Sequence, residues 1–208
     1  MKSFFYSIVL FTLFYHCSAF SYDEELYKNY GVPYSFKVFK KNCRFSTEFE
    51  IISSEVPLGR VKKSKIRVRT NYDLSDRDGW QATGIARFFS FGMFCNWAKQ
   101  IDIYDTSGEH IGYIDGRLLT TSAACYSLYD RNDQCFGHAY VDRGGRGVVI
   151  QDPEMESRIL VYLTRIFERD IEDSWEIAVY EPGSIDFRII RIFSAFMLDL
   201  QASFKEDK

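Results

Sequence analysis

Four cations recur at every second position in the stretch Arg60-Val-Lys-Lys-Ser-Lys-Ile-Arg-Val-Arg69. Alternation of that kind reads as a strand, and period two puts Lys63, Lys65, Arg67 and Arg69 on one face with Ser64, Ile66 and Val68 on the other. A row of positive charge can hold anionic headgroups or an acidic partner through Coulomb attraction, which weakens as salt rises. The structural alternative is a solvated outer face, or a lysine-protected edge that discourages aggregation. A second candidate needs a thiol and an imidazole in contact. In a hairpin with a two-residue loop at Arg131-Asn132, Cys125 lies directly opposite His138, which would suit a cysteine-dependent hydrolase. The same register faces Cys135 with Leu128 and turns the two sulfurs to opposite sides of the sheet. No third, orienting residue stands out, and a buried thiol beside a satisfied histidine is the plainer reading.

Other patterns fall short of their chemistry. Asp73-Leu-Ser-Asp76-Arg-Asp78-Gly79 resembles a calcium loop, but Leu74 and Ile85 occupy positions where an EF-hand needs carboxylates. It reads better as a polar turn between strands. The cysteines show no Cys-x-x-Cys spacing for zinc. Gly144-Gly-Arg-Gly147 lacks the lysine and helix of a phosphate loop, and reads as a strand connector. The aromatic run Trp80 to Trp97 is expected to serve as core. No cofactor or metal is expected.

Those residues need a scaffold, and its first segment is an address. Lys2, the apolar run Phe4 to Phe14, and small residues at Cys17 and Ala19 have the layout of a secretory signal peptide cleaved after Ala19. The apolar run is shorter than a spanning helix needs, which favours cleavage over the alternative of an uncleaved N-terminal anchor. Cleavage leaves about 190 residues as one domain, residues 20–208, exported to the cell envelope or beyond. Net charge on the full chain is −3, which argues against bulk nucleic-acid binding. Cys43, Cys95, Cys125 and Cys135 survive cleavage, and an exported chain permits disulfides among them. The bonds left by the hairpin argument involve Cys43 and Cys95; free buried thiols are the alternative.

From Tyr34 to Tyr180 the chain offers eleven or twelve short β segments. Two clear hairpins turn at Thr106-Ser-Gly108 and at Asp130 to Asp133. Trp80 to Trp97 reads as two strands, and residues 158–167 fit either a strand or a helix. Period then changes. After Glu181-Pro-Gly183, with Ser184 as an N-cap, a helix over about 185–203 is apolar nearly all round. Phe187, Ile189, Ile190, Phe193, Phe196 and Leu198 cover most of its circumference. Arg188, Arg191, Ala195 and Asp199 share one narrow stripe. Charges in that stripe make a membrane span costly. The helix is expected inside the β-structure, with the stripe reaching a barrel mouth.

Many antiparallel strands closed by one apolar C-terminal helix is a distinctive order. The stretches Ile103-Tyr-Asp-Thr-Ser-Gly-Glu-His-Ile-Gly112, Tyr126-Ser-Leu-Tyr-Asp130 and Trp175-Glu-Ile-Ala-Val-Tyr-Glu-Pro-Gly-Ser-Ile-Asp186 resemble the tubby C-terminal-like superfamily. That group includes the LURP-one-related proteins and the phospholipid scramblases. The resemblance covers roughly residues 34–203. It implies a closed barrel of about twelve strands around a central C-terminal helix, and association with membrane lipids. The expectation is therefore an exported, monomeric, non-enzymatic binding protein. Its ligand would be an anionic lipid surface or an envelope or host protein; the hydrolase and a structural protein without a ligand are the alternatives.

Overall fold

The computed structural model describes residues 34–206 except 65, 67, 89–91, 93, 94, 119–123, 143–145, 167–173 and 184, with backbone alone at 96 and 201–206. The signal peptide and the Ser184 cap of the sequence reading lie outside the described residues. Among these residues twelve antiparallel strands follow one another. They are β1 (Tyr34–Asn42), β2 (Ser46–Ser53), β3 (Val56–Ser64), β4 (Asn71–Asp76), β5 (Gly79–Ala86) and β6 (Gln100–Asp105). Then come β7 (His110–Gly116), β8 (Ala124–Asp130), β9 (Cys135–Val141), β10 (Gly147–Gln151), β11 (Ile159–Ile166) and β12 (Ser174–Val179). Each pairs with the next, and β12 returns to β1 with Tyr34 opposite Val179 and Phe39 opposite Ser174. The sheet is thereby a closed barrel, which removes its edges. The ambiguous segment 158–167 is a strand. Of the aromatic run, the described residues form β5 and a short 3-10 turn over Asn96–Ala98.

Alternation decides which side chains fill the barrel. Phe36 and Val38 of β1 are buried while Ser35 and Lys37 are exposed. Phe49 and Ile51, Ile101 and Ile103, and Tyr126 and Leu128 repeat that inward pair on three other strands. The interior is closed by α1 (Phe187–Glu206). Every residue from Ile192 to Leu198 is buried, so the helix has no wet face there. Phe196 packs edge-on against Tyr126 and Tyr72, with ring centroids 5.4 and 6.1 Å apart. Wall and helix come close where the wall carries glycine. A Cβ on Gly84 would sit 2.9 Å from Ile192, and one on Gly112 would sit 2.8 Å from Ile189 and 2.3 Å from the Tyr129 carbonyl.

The charged stripe of α1 reaches both mouths of the barrel, as its spacing predicts. Arg188, at the end where the helix enters, donates to Asp186 at 2.6 Å. Asp199, towards the end where it leaves, meets Lys63 and Tyr72. Arg191 lies between them, with its Nε buried and without a hydrogen-bond partner.

Antiparallel order makes the two ends different. At the helix-entry end the β6–β7 and β8–β9 turns are built on aspartate. Asp105 Oδ1 accepts from the Ser107 and Glu109 amides, both at 2.9 Å. Asp130 Oδ1 accepts from the Asn132 and Gln134 amides at 2.8 and 2.9 Å. Both are Asx turns, in which a carboxylate takes up amides that the bend would leave unpaired. Each hairpin then carries a bulge, at Ile103/Tyr104 and at Leu128/Tyr129. The left-handed position is Gly108 in one turn and Asp133, φ 60°, in the other. Odd-numbered strands up to β7 end instead at the helix-exit end, in the connections that hold Phe45, Ile66, Phe88 and Leu118.

Candidate functional site

The basic segment 60–69 is not one continuous strand. Pairing stops at Ser64, and the chain bends over the described residues from Ile66 to Arg69. Period two therefore governs Lys63, whereas Arg69 lies in the bend. In β3 the inward residue is Val61, wholly buried, and Lys63 shares its face. The Lys63 ammonium donates to Asp199 Oδ2 at 2.6 Å, and the Tyr72 hydroxyl donates to the same oxygen at 2.9 Å. Lys63 is thus turned into the barrel mouth with its charge matched, which corrects the expectation of four cations on one face. Burial, and then the Asp199 charge, hold the Tyr72 phenol well above its ordinary pKa. The Lys99 amine, half-buried nearby, is lowered by burial and by Lys63, with Asp199 opposing. Of the other predicted residues, Lys65 and Arg67 lie outside the described residues and Arg69 is exposed.

Between those cations stand two apolar side chains in water. Ile66 is 72% exposed and Val68 91%. Phe45, in the connection from β1 to β2, is 59% exposed, with the Arg44 guanidinium 5.1 Å from its ring centroid. Register brings these connections together, because Ser46, next to Phe45, faces Ser64, at the start of the basic bend. Phe88 and Leu118 are also exposed at this end. The aromatic run is consequently not all core. Phe88 is partly exposed, and Trp80 is half-exposed, its indole N–H shared between the Ala82 carbonyl and the Thr83 hydroxyl at 3.1 and 3.0 Å. Periodicity could not reveal the apolar rim, because exposed loop residues follow no period. Its one signal is the interleaving of cation and β-branched residue from Lys65 to Arg69.

The thiol–imidazole pair is displaced by the bulge between Leu128 and Tyr129. Cys125 lies opposite Tyr140, and it is Ser127 that faces His138. The bulge also brings Cys135 opposite Tyr129, on the same outer side as Cys125, not the opposite one. His138 Nδ1 lies 3.1 Å from Ser127 Oγ and 3.8 Å from Cys135 Sγ. Arg117 donates to Ser127 Oγ at 3.2 Å. Ser127 Oγ, which accepts from Arg117, also shares a hydrogen bond with His138 Nδ1 whose direction follows the imidazole tautomer. Burial raises the thiol pKa of both Cys125 and Cys135. It lowers that of His138, and Arg117 lowers it further. Neutral thiols beside a neutral imidazole make a hydrogen-bonded cluster, not a thiolate–imidazolium pair. Among the described residues no cysteine is in a disulfide.

The acidic turn uses its carboxylates internally. Asp73 Oδ1 accepts from Thr83 Oγ1 at 3.0 Å, and Asp76 Oδ1 accepts from the Asp78 amide at 2.8 Å and from Gln81 at 3.0 Å. Among the described residues no group of three or more His, Cys, Asp or Glu is placed to hold a metal ion. Gly144 and Gly145 lie outside the described residues, and Gly147 opens β10. No described helix is long and apolar enough to cross a membrane.

No protein-family model matches the sequence, and no curated protein matches it. The barrel is similar to the X-ray structure of a protein from Arabidopsis thaliana, with a TM-score of 0.52 over 82% of this chain and 93% of that one. Sequence identity between the two is 12%, so the likeness concerns the fold alone.

Proposed function

We propose that this chain is an exported, non-enzymatic member of the tubby C-terminal-like superfamily that binds anionic lipid headgroups, with Lys65, Arg67 and Arg69 as the contact. One observation carries the reading. The chain leaves the sheet at Ser64 and holds Ile66 and Val68 in solvent within a run of cations. A merely solvated bend has no use for two exposed β-branched residues, whereas a bilayer surface rewards both the charge and the apolar surface. Lys63 is given to Asp199 and takes no part in this contact. The twelve-strand barrel with its C-terminal helix supports the superfamily assignment. A hydrolase built on Cys125 has less support, because the thiol does not face His138 and its pKa is raised.

The test is flotation of the purified protein in its exported form with neutral and anionic vesicles across a salt series. Binding is expected on anionic vesicles only and weakens as salt rises. Lys65→Glu with Arg67→Glu abolishes it while the thermal midpoint stays within a degree or so of the parent. Unchanged binding by that variant removes the lipid reading and moves the weight to a protein partner.

A further inference from the structure

We infer that the helix-exit rim does more than rest on headgroups: Ile66, Val68 and Phe45 insert into the boundary between headgroups and acyl chains. This rests on the lipid reading above and adds an orientation and a depth to it. The described large apolar residues that reach solvent occur at both ends, but the three most exposed stand at one. Tyr34, Val56, Trp80 and Met155 lie at the entry end, whereas Val68, Ile66 and Phe45, with the less exposed Phe88 and Leu118, lie on the connections at the helix-exit end. Those connections belong to β1–β2, β3–β4, β5–β6 and β7–β8, so they follow one another around the rim.

The three deepest candidates stand on neighbouring connections. Phe45 precedes Ser46, Ser46 faces Ser64, and the bend with Ile66 and Val68 follows. Each apolar tip has a cation in the next position along the chain. Arg44 covers Phe45, and Lys65, Arg67 and Arg69 flank Ile66 and Val68. A side chain that enters the acyl boundary beside a cation that stays with the phosphates is the arrangement of an interfacial anchor. Charge complementarity selects an anionic bilayer as the occupant. The exposed turn residues of the opposite end are mostly acidic, with Glu55, Asp78, Glu109, Asp133, Glu154 and Glu156 against Arg77 and Arg131, a balance that anionic lipid disfavours.

The experiment compares three proteins on phosphatidylcholine vesicles with and without phosphatidylserine, at low and high salt. Ile66→Ser with Val68→Ser is expected to keep the parent's thermal midpoint, because both side chains are already in water. It should lower partitioning about tenfold or more, with the deficit persisting at high salt where the charge term is screened. In Val68→Trp, at a position 91% exposed in the free protein, lipids brominated on their acyl chains should quench emission beyond the quenching of the native tryptophans. If the serine pair binds like the parent and Trp emission is not quenched while salt-sensitive binding persists, insertion is refuted and the electrostatic reading survives. If the parent binds no vesicle at any salt, both fall, and the rim becomes a protein-facing surface.

Discussion

The two ends of the barrel are built on opposite plans. Where α1 enters, strands are joined by turns in which an aspartate satisfies the bending backbone, as at Asp105 and Asp130. Where it leaves, the three most exposed apolar side chains, Val68, Ile66 and Phe45, stand among cations, and Asp199 of the helix itself is drawn into the mouth to meet Lys63. One end spends its polar groups on its own backbone. The other keeps costly surface that the fold does not need, and surface kept at a cost is where function is expected.

That contrast can be broken by moving charge inside one end and not the other. Asp199→Leu should have the largest effect, about 1–3 kcal/mol of stability in urea unfolding, because it strands a partly buried ammonium and the buried Tyr72 hydroxyl. Adding Lys63→Met should recover most of the loss. If the double variant is no more stable than the single, Lys63 and Asp199 are not coupled and the exit mouth is looser than described here. At the entry end, Asp130→Ala should cost about 1 kcal/mol or less and should speed hydrogen exchange at the Asn132 and Gln134 amides. Vesicle binding should not change, and a weakened binding would join the two ends in one function. The smallest effect belongs to the wall between them. The folded-state pKa of His138 is depressed, so at pH above its unfolded value of about 6.5 both states are neutral there and the contribution is complete. As pH falls below that value the unfolded chain takes up the proton first, and stability declines until the folded pKa is passed. The loss is small, because the imidazole is partly exposed, and His138→Gln should remove that part of the pH profile.

The sequence reveals more of the barrel than of its site, for a physical reason. Inward residues such as Ile101, Ile103, Tyr126 and Leu128 must alternate to reach one core, and the all-round apolar helix has nowhere to go but inside. Both patterns can be read without a partner. Register cannot, because one extra residue resets it. A two-residue loop at Arg131-Asn132 predicted Cys125 opposite His138; the bulge after Leu128 substitutes Ser127. A clue was present. Tyr104-Asp105 to Gly112 and Tyr129-Asp130 to Gly137 share one spacing, with Gly108 and Asp133 in the same turn position. The overt glycine turn of the first hairpin therefore describes the hidden turn of the second. The basic segment misleads in another way. Alternation continues past the last paired residue, so nothing in the letters marks Ser64 as the point where a strand face becomes a bend.

Closure of the barrel also sets an order of events. Strand β1, residues 34–42, completes its pairing only with β12, residues 174–179, and the filling of the cavity comes later still, in α1. A chain emerging from N to C terminus therefore presents eleven strands' worth of unclosed sheet before β12 arrives, and an unfilled barrel until the C-terminal helix follows. Such long-range pairing folds slowly and exposes sticky intermediates. Loss of that C-terminal helix would leave an empty shell with no state to fold into.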